Sequence, residues 1–253
     1  MAKAQEHGEA GTHLVEAASL RTLICRLFTA AGAPSEDAET VAEVLVEADL
    51  RGVESHGSTR VAGYLSMIRH GLLNPRPKIQ ILRETDSMAM LEGDQAFGIV
   101  VARRAMEMAI DKGRRSGIAC VTARNVTHTG MVGFYPMMAA QRGLIGLSCN
   151  NGPTILPPFG GKTPTLATNP ISVAVPSKRE NPIVLDMATS VVAAGKLRQA
   201  GVIVFLLPFA QRRRRIAFQE LAQFLSLTGG FDKRMKQPRG AAWPSRTVNP
   251  HGL

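Results

Sequence analysis

The sequence predicts an α/β fold, with a helical N-terminal part followed by a sheet that helices cover on its faces. Up to residue 71, apolar residues recur every three or four positions, which is typical of amphipathic helices. Beyond residue 79, short apolar runs alternate with helical segments, which favours a sheet packed against helices. We therefore divide the 253 residues into a helical region (12–78), an α/β region (79–200) and a tail (201–253).

Three helices are predicted in the N-terminal region. The first ends at Gly32, and the second starts at Ser35, which suits an N-cap, and stops at Gly52. The third runs over residues 58–71. The Asn-Pro-Arg-Pro segment at 74–77 interrupts regular structure and marks the boundary with the next region.

The α/β region is predicted to alternate strands with two helices. A turn is expected between Asp94 and Gly98, and the strand at 117–122 is expected to be buried. The predicted strands are 88–91, 117–122, 144–148, 171–175 and 183–185, and the predicted helices are 99–115 and 132–142.

Charge, hydropathy and cysteine content exclude several classes of protein. The net charge of +10 divides into +3 for residues 1–200 and +7 for the tail, so the body offers no basic stripe for nucleic acid. The longest apolar run, 202–210, contains Pro208 and is too short for a bilayer span, which needs about 20 residues. Three cysteines without C-x-x-C spacing predict neither a disulfide framework nor a metal site, and they fit a reducing, cytoplasmic setting.

The familiar nucleotide and hydrolase motifs are absent. No G-x-G-x-x-G follows a predicted strand, and no H-E-x-x-H occurs. The Gly-Lys-Thr triplet at 161–163 has Leu156 where a phosphate loop requires glycine. The segment 146–150 ends in Asn150, where a serine-hydrolase elbow needs glycine.

Two histidines are candidates for catalysis because each is predicted in a loop beside regular structure. His56 follows the second helix, and Arg60, four residues later, can present a guanidinium fork to a carboxylate. His128 follows the strand at 117–122, and its ordinary pKa suits proton transfer near neutrality. Taken singly, each histidine also fits a surface or capping role, and Arg60 could pair with Glu54.

Three further polar segments have a structural and a functional interpretation. The Asn-rich segment at 150–153 and the Thr-Asn-Pro segment at 168–170 could be simple turns. Asp186 could cap a helix after the last predicted strand.

Taken together and in order, these motifs resemble the type 2 malate/L-lactate dehydrogenase family, which includes ureidoglycolate and sulfolactate dehydrogenases. The resemblance covers roughly residues 14–200. Its motifs are 50–60 (LRGVESHGSTR), 71–77 (GLLNPRP), 125–130 (NVTHTG), the glycines at 160 and 161, 168–170 (TNP) and 186–190 (DMATS).

The resemblance implies an oxidoreductase that transfers hydride between NAD or NADP and a small 2-hydroxy acid, on a non-Rossmann cofactor fold. It matches His128 to the family's proton-transferring histidine, and His56 and Arg60 to its substrate side. It also implies a cytoplasmic homodimer. Charge, hydropathy and motif spacing, rather than the resemblance, predict no nucleic-acid or membrane partner and no metal. The residues that the resemblance places at the cofactor are Asn151, Thr168, Asn169, Asp186, Met187 and Ala188.

The family pattern stops near residue 200. Residues 210–214 read Ala-Gln-Arg-Arg-Arg, where the family has a glycine-rich turn that approaches the cofactor, and arginine cannot replace glycine there. We predict a deletion with a local reading-frame change, with a divergent tail as the alternative, and a partly disordered basic end. We expect this departure to impair or abolish hydride transfer. The alternative function is a non-enzymatic remnant or a binding protein that uses the basic tail.

Overall fold

The computed structural model describes residues 15–178 and 181–190, which fold as a mixed α/β unit. The predictions for the tail at 201–253 lie outside these residues. The helices are α1 (Ala17–Ala30), α2 (Ser35–Leu50), α3 (Val61–Arg69), α4 (Gly98–Ser116) and α5 (Phe134–Ala140). The strands are β1 (Gln80–Glu84), β2 (Met88–Ala96), β3 (Cys120–Val126), β4 (Gly146–Cys149), β5 (Ile171–Val175) and β6 (Ile183–Met187).

The three predicted N-terminal helices are present, with two differences at their starts. Ser35 is the first residue of α2 rather than its cap, because Pro34 holds the extended backbone that precedes the helix. The predicted third helix (58–71) begins as a 3₁₀ turn at Ser58–Arg60 before α3 continues it, and a second 3₁₀ turn at Glu54–His56 precedes it. This break turns the chain between His56 and Arg60 and so shapes the predicted site.

The largest apolar core joins α1, α2 and α3 to the start of α4. Its aromatic centre is the contact of Phe28 with Phe97, whose ring centroids lie 5.2 Å apart, and with Tyr64 at 6.3 Å. The fully buried members include Ile24, Phe28, Val41, Val44, Leu45, Leu73 and Ile99. The apolar stripe predicted for α2 is buried, whereas in α1 only Ile24 and Phe28 of the predicted stripe are buried and Leu23 is 52% exposed.

The first sheet has the strand order β1-β2-β3, with β1 antiparallel and β3 parallel to β2. The expected turn appears inside β2, where Asp94 and Gln95 have positive φ and the pairing with β3 shifts register. The strand predicted at 117–122 starts later, at Cys120, and its expected burial is wrong: β3 is an edge strand and most of its residues are exposed. Ile118, counted as buried, precedes the strand and is 78% exposed.

The second sheet, β4-β5-β6, is wholly antiparallel and separate from the first, whereas the sequence predicted one sheet. Its inner face packs on α5: Ala174 and Val184 join Met137 in a small core. Gly146 allows this approach, because a Cβ there would lie 2.5 Å from the carbonyl oxygen of Pro136. The opposite face, called here the outer face, consists of Leu147, Cys149, Ile171, Val173, Val175, Ile183, Leu185 and Met187.

Candidate active site

His56 is fixed by the loop that follows α2. The Ser58 N–H donates to the Asp49 carboxylate at 2.9 Å, which closes the loop on the helix end. Gly57 makes room for that carboxylate, since a Cβ at this position would lie 1.7 Å from Asp49 Oδ1. The Ser55 hydroxyl lies 2.9 Å from His56 Nδ1 and orients the ring. The sequence Ser-His-Gly thus fixes the position of the His56 imidazole through contacts with its immediate neighbours and with the end of α2.

His128 lies in the loop between β3 and α5, pressed against the start of α4. The Thr127 hydroxyl donates to the Ala96 carbonyl at 2.9 Å and accepts the Gly98 N–H at 3.2 Å. A Cβ at Gly98 would lie 2.2 Å from the Thr127 carbonyl oxygen. The backbone just before His128 can therefore approach the start of α4 this closely only because residue 98 is glycine. Beyond His128, Tyr135 donates its hydroxyl to the Thr129 carbonyl and holds the other side of the loop.

The fold brings the two predicted histidines together. Their rings stack with centroids 5.3 Å apart and planes inclined by 27°. The Tyr64 hydroxyl lies 2.7 Å from His128 Nδ1, and the Gly130 N–H donates to the same nitrogen at 3.1 Å. Two residues predicted from separate motifs, 72 positions apart in sequence, therefore form one cluster.

Sequence reasoning missed Tyr64 as a site residue and counted it only as an apolar position of the third helix. Its side chain is 3% exposed, and its hydroxyl reaches the histidine pair. The available signal was its spacing: Tyr64 follows Arg60 by four residues, which places both on one helical face.

Arg60 stands beside the histidine pair. Its Nε donates to the Ser55 carbonyl at 2.6 Å, which fixes the plane of the guanidinium. Burial, and to a lesser extent the Arg60 charge, lower the pKa of His56 to about 4. His56 is consequently a neutral ring next to a fixed cation at physiological pH.

Three of the predicted cofactor residues meet around the ends of β4 and β5. The Asn169 side-chain carbonyl accepts the Gly152 N–H at 3.3 Å, which joins it to the segment containing Asn151. The Thr168 carbonyl accepts both the N–H and the hydroxyl of Thr189, at 2.9 and 3.0 Å. The segments around residues 151, 168 and 189 therefore form one loop cluster.

Asp186, Met187 and Ala188 lie at the end of β6. Asp186 Oδ2 accepts the Gly133 N–H at 2.9 Å, so this carboxylate faces the start of α5. Burial raises the pKa of Asp186, and the hydrogen bond from Gly133 opposes that rise. Met187 belongs to the exposed outer face, and Ala188 is half-buried beside Thr189.

The loop at 127–133 connects the histidine cluster to the second sheet. Asn150, at the end of β4, donates its side-chain N–H to the Thr129 hydroxyl at 2.8 Å. The contact of Gly133 with Asp186 ties the far end of the same loop to β6. The loop that carries His128 is thus hydrogen-bonded to β6 and to the residue that follows β4.

Two further observations concern residues 15–178 and 181–190 only. Within that part of the chain, no helix is both long and apolar enough to cross a bilayer. In the same part, no three His, Cys, Asp or Glu side chains are grouped so that they could hold a metal ion.

Comparison with known proteins identifies the family. The family model for malate/L-lactate dehydrogenase matches residues 15–202. Malate dehydrogenase of Pyrococcus abyssi is 48% identical over 178 residues, covering 70% of this chain and 49% of that protein. Ureidoglycolate dehydrogenase (NAD(+)) of Escherichia coli O157:H7 is 39% identical over 183 residues, covering 72% and 52%.

The fold agrees with a solved structure of the same kind. Malate dehydrogenase from Pyrococcus horikoshii OT3 superposes with a TM-score of 0.72 and 45% identity, over 77% of this chain and 56% of that one. The chain spans about half the length of the curated relatives that it matches. On the family model and these relatives, the chain belongs to the malate/L-lactate dehydrogenase family.

Proposed function

We propose that this chain carries the site of an NAD(P)-dependent oxidoreductase, which transfers hydride between a nicotinamide cofactor and a small 2-hydroxy acid. The observation that carries the proposal is the stacking of His56 on His128 at 5.3 Å, with Arg60 beside them. Family membership supports it, as do the malate and ureidoglycolate dehydrogenase activities named for two relatives.

In this proposal His128 exchanges the proton of the substrate hydroxyl. Oxidation of a 2-hydroxy acid needs a base for that proton, and reduction of the keto acid needs the same group as an acid. The contacts of Thr127 hold the loop of His128, and the Tyr64 hydroxyl lies 2.7 Å from its Nδ1. We place the proton exchange with substrate at the other ring nitrogen, Nε2.

Arg60 is the proposed partner of the substrate carboxylate. A guanidinium presents parallel N–H donors that match the two oxygens of a carboxylate. The bond from Nε to the Ser55 carbonyl orients that fork. His56, neutral because burial and Arg60 lower its pKa to about 4, adds a polar ring without competing for the carboxylate charge.

The nicotinamide cofactor is assigned to the loop cluster of the second sheet. Amide, hydroxyl and backbone groups of Asn151, Thr168 and Asn169 suit hydrogen bonding to a nucleotide, and Asp186, Met187 and Ala188 end the adjoining strand. These residue types fit a nicotinamide dinucleotide, which would supply hydride acceptance and donation when bound. The choice between NAD and NADP remains part of the test.

We also infer a cytoplasmic homodimer, with a small 2-hydroxy or 2-keto acid as its partner and no role for nucleic acid or membrane. The support is the family resemblance and the free state of Cys25, Cys120 and Cys149. The alternative of a binding protein with a basic tail concerns residues outside the described ranges, and the comparisons do not favour it.

A ligand-stabilisation experiment tests the proposed function. The full chain is heated with NADH or NADPH, with pyruvate or oxaloacetate, and with both ligands together. A ligand at about 100 times its dissociation constant adds about 2.7 kcal/mol to the free energy of unfolding, so we expect the melting temperature to rise by several degrees. No stabilisation by any combination would contradict the proposal.

Turnover is measured on the same samples through the absorbance of the reduced cofactor. Any turnover should fall by roughly a hundredfold or more in His128→Asn, which removes the proton-exchanging group. Near-normal turnover in His128→Asn would remove this residue from the mechanism.

A further inference from the structure

Tyr64 contributes a buried hydroxyl to the histidine cluster. Its Oη lies 2.7 Å from His128 Nδ1, and its ring packs between that histidine and Phe97 in the apolar core. The Gly130 N–H approaches the same nitrogen at 3.1 Å. Nδ1 of His128 thus has two partners of different chemistry.

The two partners tolerate different protonation states of His128. A backbone N–H only donates, so the Gly130 bond requires a lone pair on Nδ1 and places the proton of the neutral ring on Nε2. A phenol both donates and accepts, so Tyr64 can bond to Nδ1 with or without a proton on that nitrogen. Of these two groups, Tyr64 alone can accept the Nδ1–H bond of an imidazolium ring.

This difference bears on proton exchange at Nε2. A base needs a lone pair on Nε2, and a neutral ring has one only when its proton is on Nδ1. That tautomer breaks the Gly130 bond and needs an acceptor beside Nδ1. The protonated ring, which acts as the acid, needs the same acceptor.

We propose that Tyr64 is the positioning residue of His128: its hydroxyl reverses from donor to acceptor at Nδ1 and so supports the forms of the ring that exchange a proton through Nε2. Exchange of the Nε2 proton with a substrate rests on the proposed function. The change of the Tyr64 hydroxyl from donor to acceptor is a property of Tyr64 and His128 alone. Among the described residues, the other titratable and charged groups at this pair include His56, which stacks on His128, the Arg60 cation, and Tyr135, which interacts electrostatically with Tyr64.

The surroundings of Tyr64 keep its phenol neutral, so that its hydroxyl can either donate or accept a hydrogen bond. Burial raises the pKa of Tyr64, and the Arg60 charge opposes this only in part, so the hydroxyl keeps its proton across the physiological range. His56 stays neutral over the same range because its pKa is lowered to about 4. Tyr64 therefore stays protonated and His56 stays neutral while the pH is varied between 5 and 9.

The first test measures the pKa of His128 by NMR from its Hε1 resonance in the full chain, assigned with His128→Asn. In Tyr64→Phe the imidazolium loses its acceptor while the neutral ring keeps the Gly130 bond, so we expect the pKa of His128 to fall by about one pH unit. Tyr135→Phe is the control, because it removes a buried hydroxyl bonded to the Thr129 carbonyl and not to a histidine. An unchanged pKa in a folded Tyr64→Phe would overturn the proposal.

The second test needs no variant and remains valid if Tyr64→Phe fails to fold. The chain has two tyrosines, so labelling with ¹³Cζ-tyrosine gives two signals. The Tyr64 signal should shift with the same midpoint as His128 Hε1, and the Tyr135 signal should not. A Tyr64 signal that is flat through the His128 titration would overturn the reversal.

These outcomes separate the inference from the proposed function. Neither test includes substrate, cofactor or turnover. A failed reversal leaves ligand stabilisation intact as evidence for the function, and failed ligand stabilisation leaves the two titrations interpretable.

Discussion

The histidine cluster and the second sheet differ in how completely the described residues surround them. His56 and His128 lie on loops that hydrogen bonds and close glycine contacts hold from several sides. The second sheet packs on α5 through its inner face, whereas Leu185 on its outer face is 52% exposed. The substrate side of the proposed site is therefore built into a packed core. The cofactor side lies at the margin of a sheet that the described residues cover on one face only.

This difference predicts where substitutions should have the largest effect on stability and on site geometry. A side chain that supports the histidine cluster acts through tight packing, so its loss costs stability and site geometry together. A side chain on the outer face has fewer contacts to lose. Four substitutions or titrations, from the largest expected effect to the smallest, measure that contrast.

Phe28→Ala should give the largest effect. Phe28 is fully buried and packs against Tyr64 and Phe97, so the variant opens a cavity behind the residue that contacts His128. We expect the free energy of unfolding to fall by about 3–5 kcal/mol in urea denaturation. Leu23→Ala, at an exposed position of the same helix, is the matched control and should cost less than about 1 kcal/mol. Equal losses in both variants would contradict the contrast.

Acidification should destabilise the chain through His56. Its folded pKa of about 4 lies below the ordinary value of 6.5, so the unfolded chain takes up a proton that the folded chain refuses. The contribution is fully present above pH 6.5, declines as the pH falls toward 4, and amounts to at most about 3 kcal/mol. Stability measured against pH should show this decline in the wild type and lack it in His56→Gln. If the two curves run parallel, His56 is not held neutral by the fold.

Arg60→Lys tests the substrate side directly. Lysine keeps the charge but loses the fork and the bond from Nε to the Ser55 carbonyl. We expect the dissociation constant of a 2-keto acid to rise about tenfold, which corresponds to about 1.4 kcal/mol, with cofactor binding unchanged. Weaker cofactor binding with normal keto-acid binding would place Arg60 at the nucleotide instead.

Leu185→Ser should have the smallest effect on stability. Because Leu185 is half exposed on the outer face, we expect a loss below about 1 kcal/mol. Removing apolar surface should also reduce self-association, as measured by light scattering. A loss as large as that of Phe28→Ala would mean that the outer face is buried in the protein.

The sequence predicted the elements that depend on local pattern. Helix α2 and the long amphipathic α4 were recognised from their apolar periodicity, and the stripe predicted for α2 is the face that packing buries. His56 and His128 were identified from their motifs, and the fold places their rings in contact. Their assigned roles remain predictions.

Features that depend on tertiary contact were not predicted. Strand β1 is exposed along its whole length, so it lacks the apolar alternation that marks a half-buried strand. The division into two sheets, with α5 packed on the second, is a tertiary arrangement that strand patterns do not encode. Tyr64 was missed because it was counted as an apolar member of a helix stripe, and its four-residue spacing from Arg60 was not used.

The most direct test of the central claim is an NMR titration of the full chain with a 2-keto acid in the presence of NADH or NADPH. The Hε1 resonances of His56 and His128 report the two rings that the fold stacks together. We predict that both resonances shift with one dissociation constant, and that Arg60→Lys raises this constant about tenfold. If the ligands raise the melting temperature while both histidine resonances stay unchanged, binding occurs elsewhere and the assignment of the site is contradicted.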